Sequence, residues 1–143
     1  MDLLRKIARV WDALEVPKVV SVDTYDDEGA GLIFSGSRFD EHSDETINCH
    51  LSSFTFMTNE AFRYYLGSLL ITSVRDGGES TEVLAFHLEA PKGDISRPSF
   101  VQKIGGFSVE QLECIRDVLE VLINRGDMFD DDLAVTSVRQ LLT

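Results

Sequence analysis

The segment from Thr58 to Gly78 constrains this chain more than any other. Phe62, Tyr65, Leu66, Leu69, Leu70 and Ser73 recur at helical spacing and form a wide stripe, and Ile71 and Val74 add apolar surface on another face. A helix that is apolar nearly all round has to be surrounded by protein, so the remaining elements must be walls built around it. Both ends are marked. Thr58 can cap the start, Glu60 places an acid in the first turn, and Arg75-Asp76-Gly77-Gly78 stops the helix.

Further helices follow from the same 3.6-residue period. Leu3, Ile7, Val10 and Leu14 predict the first, with Asp2 as its cap, Pro17 as its stop and Trp11 as a core anchor rather than a stacking surface for a ligand. Ser43 can cap a helix that carries Asp44 and Glu45 in its first turn and Ile47, Leu51 and Phe54 on its buried side. Ser108 and Gln111 have capping-box spacing ahead of Leu112, Ile115, Leu119 and Leu122, and Gly126 suits a left-handed cap at the far end. A last helix is expected from about Asp130 to Leu142. Thr81 to Glu89 fits both an alternating strand and a helical face, and Ser80 as cap with Glu82 behind it favours helix. Pro91 to Gly106 reads as a loop. Lys18 to Ser37 reads as a hairpin, with Val19, Val20 and Val22 in one arm, Leu32 to Phe34 in the other, and Asp26-Asp27-Glu28-Gly29 at the turn. The expected fold is therefore helix-dominated α+β. Five or six helices surround one core with a small β-hairpin, and residues 1–143 form a single domain with no linker or repeat.

Charge limits the partners. There are 25 acidic residues against 13 basic ones, a formal net charge of −12. Such a surface repels nucleic acid phosphates and anionic lipid, and it favours rapid encounter with a basic protein. No apolar stretch spans a bilayer and no leader-like segment opens the chain, so a cytoplasmic setting is expected. Cys49 and Cys114 are expected to be reduced, buried and unpaired.

Two motifs resemble a known pattern. Phe56-Met57-Thr58-Asn59-Glu60-Ala61-Phe62-Arg63-Tyr64-Tyr65-Leu66 is similar to the Phe-Leu-Ser/Thr-x-Glu-Ala-Phe-Arg-Tyr-Tyr-Leu signature of an uncharacterised bacterial protein family, a domain of unknown function. Phe107-Ser108-Val109-Glu110-Gln111 resembles that family's later Phe-Ser/Thr-x-Glu-Gln block. The two blocks and the helices they start cover roughly a quarter of the chain. The chain departs from the pattern after Leu66, where Gly67-Ser68 stands in place of Pro-Ala. The resemblance carries no catalytic residue with it.

The most distinctive polar cluster is Glu60, Arg63, Tyr64 and Tyr65. Glu60 can pair with Arg63 one turn on, which would make a polar pocket lined by an arginine and phenols. The structural alternative, which is favoured, has Arg63 bridging neighbouring elements while the tyrosines pack with their hydroxyls satisfied. Asp23 with Asp26, Asp27 and Glu28, and Asp130, Asp131 and Asp132, are acidic runs without calcium-loop spacing, so they are expected to be solvated surface rather than metal ligands. His42, His50 and His87 show no zinc-site spacing, and no phosphate loop, dinucleotide fingerprint or nucleophile elbow occurs, so no cofactor is expected. The function these features favour is an acidic inhibitory binder, such as an immunity protein against a basic toxin or nuclease. Asp26, Asp27, Glu28, Asp130, Asp131 and Asp132 would be its contact residues. Alternatives are a DNA-mimicking or regulatory binder of another basic protein, and, less favoured, an enzyme with its pocket at Glu60, Arg63 and Tyr64.

Overall fold

A computed structural model describes residues 2–21 and 30–143. Its elements are α1 (Leu3–Asp12), α2 (Ala30–Phe34), α3 (Asp44–Cys49), α4 (Asn59–Arg75), α5 (Glu79–Leu88), α6 (Pro98–Ile104), α7 (Val109–Asn124) and α8 (Leu133–Leu141), with 3-10 turns at Leu51–Phe56 and Pro91–Gly93. The long central helix is α4. Ala61, Phe62, Tyr64, Tyr65, Leu66, Gly67, Ser68, Leu69, Leu70, Thr72 and Ser73 are buried around its circumference. Helices α1, α3, α5, α6 and α7 all pack on it, and α8 closes the bundle against α5 and α7.

Short-range chemistry sets the helix ends. The side chains of Asp2, Ser43, Thr58 and Ser108 each accept from a first-turn backbone N–H. At Ser108 the capping box is complete, because Gln111 Oε1 accepts from the Ser108 N–H at 2.9 Å. Helix α7 ends in a Schellman turn. Gly126 adopts φ +83°, its N–H donates to Ile123 O, and the Asp127 N–H donates to Leu122 O at 2.8 Å.

The expected hairpin is not formed. Among the described residues there is no β-strand, and the second arm is helix α2. In a strand Leu32 and Phe34 would share one face. Instead Leu32 is 91% exposed and Phe34 fully buried, because two residues along a helix point in nearly opposite directions. The tilted rings of Phe54 and Tyr65 hold Phe34, and the Tyr65 hydroxyl lies within donating distance of Phe34 O (2.5 Å) and Ser37 O (2.8 Å). The valine-rich arm finds a different partner. Ser21 forms a single antiparallel bridge to Met57, and the Thr58 N–H donates to Val20 O at 2.8 Å. The expected turn at Asp26, Asp27 and Glu28 lies outside the described residues, as does Asp23.

Three other boundaries change. The helix expected from Ser43 through Phe54 breaks at His50 (φ −129°) into α3 and a 3-10 turn. The expected loop 91–106 contains α6, started by Pro98 in its first turn. Thr81–Leu88 is helical, with Glu89 extended just beyond it, but the residue before the helix is Gly78. Ser80 lies inside the first turn, buried, with Oγ donating to Gly77 O at 2.7 Å.

Candidate functional site

Thr58 starts α4 so that Glu60, Arg63 and Tyr64 project toward the end of α1 and the turn between α6 and α7. These three side chains line one concavity of about 320 Å³ with Ala13, Leu14, Glu15, Gly106 and Gln111. Arg63 does not pair with Glu60. Its guanidinium donates to Gln102 O at 2.9 Å and Lys103 O at 3.1 Å, which satisfies the last carbonyls of α6. Gly106 makes room for it, since a Cβ there would stand 2.7 Å from Arg63 Cζ. The Tyr64 hydroxyl accepts from the Phe39 N–H at 3.2 Å, and burial raises its pKa, so it remains a neutral phenol. The arginine is thus committed to backbone rather than to Glu60. This is the bridging arrangement set against the pocket reading above.

The acidic residues at α8 have individual duties. Asp132 caps the helix, accepting from the Ala134 N–H at 2.9 Å, and Asp130 pairs with Arg139 at 3.0 Å. Asp131 is exposed. They belong to a larger face that the sequence did not reveal. Helix α5 begins with Glu79 and Glu82, and the α7–α8 connection brings Asp127 alongside. Glu82 and Asp127 are shared by two adjoining hollows. One of about 490 Å³ is lined by Gly78, Glu79, Glu82, Gly126 and Asp127. The other, of about 200 Å³, is lined by Thr81, Glu82, Ala85, Asp127, Met128, Phe129 and Asp132. Phe129 is 80% exposed within this acidic surround, and Leu133 is 48% exposed. Arg125 is the cation nearest by chain. It is engaged to Asp127 at 2.8 Å and, through 2.5 and 2.9 Å donations, to Val74 O and Ser73 O at the end of α4. The face joins residues 79–82 to residues 127–132, so only local cues such as the exposed Phe-Asp-Asp-Asp run could have hinted at it.

A third arrangement also escaped the sequence. His87 on α5 is buried, and Lys103 on α6 reaches it, with Nζ 2.8 Å from Nδ1. Lys103 Nζ also stands 4.0 Å from the centroid of the Phe62 ring. Burial, reinforced by the neighbouring ammonium, pushes the His87 pKa down to about 3. The ring is therefore neutral at ordinary pH, with Nδ1 accepting from Lys103. Burial alone lowers Lys103 to about 8. No sequence signal joins residues 16 positions apart in separate helices.

Cys114 is buried as expected, and burial pushes its thiol up to about 11. Cys49 is exposed, contrary to expectation, because α3 is short and turns only Ile47 fully inward. Among the described residues no three metal-ligating side chains converge, and no helix is long and apolar enough to cross a membrane. No protein-family model, curated protein or solved structure matches the chain.

Proposed function

We propose that this protein is an acidic binding protein that inhibits a basic partner, a toxin or nuclease in the reading set out from the sequence. Its contact face is formed by the start of α5 and the α7–α8 connection. The observation that carries the reading is Phe129. Phe129 is 80% exposed and stands among Glu82, Asp127 and Asp132 at one hollow, with Asp130 and Asp131 next in the chain. An apolar anchor in a mainly acidic surround, where Arg125 and Arg139 are already engaged by Asp127 and Asp130, is an arrangement in which a buried aromatic supplies affinity and the remaining charges supply rate and selectivity. In this reading Asp130, Asp131 and Asp132 are contact residues, as expected from the sequence. Asp26, Asp27 and Glu28 are a second acidic group for the same partner.

The test begins with affinity capture from the native cell and mass spectrometry. The captured protein should be basic, and its association should slow several-fold between low and physiological salt. Phe129→Ala should weaken binding about tenfold or more, chiefly through dissociation, whereas Glu82→Lys with Asp131→Lys should slow association. Asp26, Asp27 and Glu28 changed together to lysine report on the second group. Salt-insensitive binding unaffected by these variants would overturn the proposal.

A further inference from the structure

The His87–Lys103 pair opens onto a concavity of about 220 Å³ lined by Phe86, His87, Glu89, Pro91, Ser99, Phe100 and Lys103. Three of its features bear on chemistry. Two phenylalanines flank the amine in its walls, Phe86, 65% exposed at the surface, and Phe100, buried. Its one amine lies against the Phe62 ring and the His87 imidazole, and among the described residues no carboxylate comes within ion-pairing distance of it. Glu89, just beyond α5, lines the concavity, and Arg63 on α4 is held through its guanidinium by the carbonyls of Gln102 and Lys103.

We infer that Lys103 is a nucleophilic amine that condenses with a small aryl aldehyde held in this concavity. The neutral amine attacks the carbonyl carbon, forming a C–N bond and, after proton transfer from nitrogen to oxygen, a carbinolamine. Its hydroxyl takes a proton from solvent and leaves as water, and loss of the remaining N–H proton leaves the imine. One amine and one aldehyde give one imine and one water, with no oxidant or reductant. His87 Nδ1 accepts an N–H of the attacking amine and so fixes its position beside the Phe62 ring. An amine lowered to about 8 is neutral in a substantial fraction near neutrality, whereas an ordinary lysine is almost wholly protonated there.

The chain carries three other lysines, Lys6, Lys18 and Lys92, which serve as internal references. The folded protein is treated with benzaldehyde and sodium cyanoborohydride, which reduces the imine to a stable secondary amine, and labelled peptides are mapped by mass. At pH 7.5 Lys103 should label at least tenfold faster than exposed Lys18 and Lys92. In urea the preference should vanish. Labelling of Lys103 no faster than Lys18, or a preference that survives unfolding, would overturn the inference. The wild-type chain alone decides the outcome, so a poorly folding Lys103→Arg variant would not obscure it.

Discussion

At Gly67 the Trp11 ring of α1 lies against α4, and adding one methyl there tests how the core is held. An ideal Cβ on Gly67 would stand 2.7 Å from Trp11 Cδ1, 2.8 Å from Cγ and 3.1 Å from Nε1. The indole has little freedom to retreat. Trp11 is fully buried, and its Nε1–H donates to Arg63 O at 2.9 Å. Two effects oppose each other in Gly67→Ala. Helix propensity favours alanine by about 1 kcal/mol. Overpacking costs roughly 1–3 kcal/mol, and loss of the indole hydrogen bond would add about 1 kcal/mol. The net expectation is a destabilisation of roughly 1–3 kcal/mol. Urea unfolding followed by the fluorescence of Trp11, the sole tryptophan, should show the midpoint falling by about 1 M for a typical slope. Repeating the substitution in a Trp11→Ala background, with unfolding followed by circular dichroism, should remove most of the cost, since the colliding ring atoms Cγ, Cδ1 and Nε1 are gone. A midpoint that rises in the Trp11 protein would refute the reasoning, because propensity would then have exceeded the collision.

The buried imidazole makes stability depend on acid. His87 is held near 3 in the folded chain against about 6.5 when unfolded, so the unfolded state binds the extra proton and stability falls as pH drops from 6.5 toward 3. The loss should reach roughly 2–3 kcal/mol by pH 4.5, and denaturation of His87→Leu across that range should show a flatter dependence. The thiols should separate by exposure: a disulfide reagent should modify Cys49 in the native protein and Cys114 only after unfolding. Two thiols reacting together in the native state would contradict the burial of Cys114.

Sequence alone determined the helices whose information is local. The periodicities of α1, α4 and α7, the caps Asp2, Ser43, Thr58 and Ser108, and the turn at Gly126 all arise between residues a few positions apart. A signal for α6 was also present, since Pro98 suits a first helical turn and Gly105 follows its last residue, but proline and glycine equally mark a loop. The fate of Leu32–Phe34 could not be read locally. A short apolar run fits strand or helix, and burial of Phe34 against Phe54 and Tyr65 decided it. The same holds at the sites. The Glu60–Arg63 spacing permits an ion pair, yet α6 offered Arg63 carbonyls that had no other partner. The His87–Lys103 pair and the acidic surround of Phe129 each join separate helices. Spacing along a chain fixes what neighbours on one helix can do. Desolvation, which lowers Lys103 and keeps His87 neutral, depends on which helices close over them, and only the tertiary structure decides that.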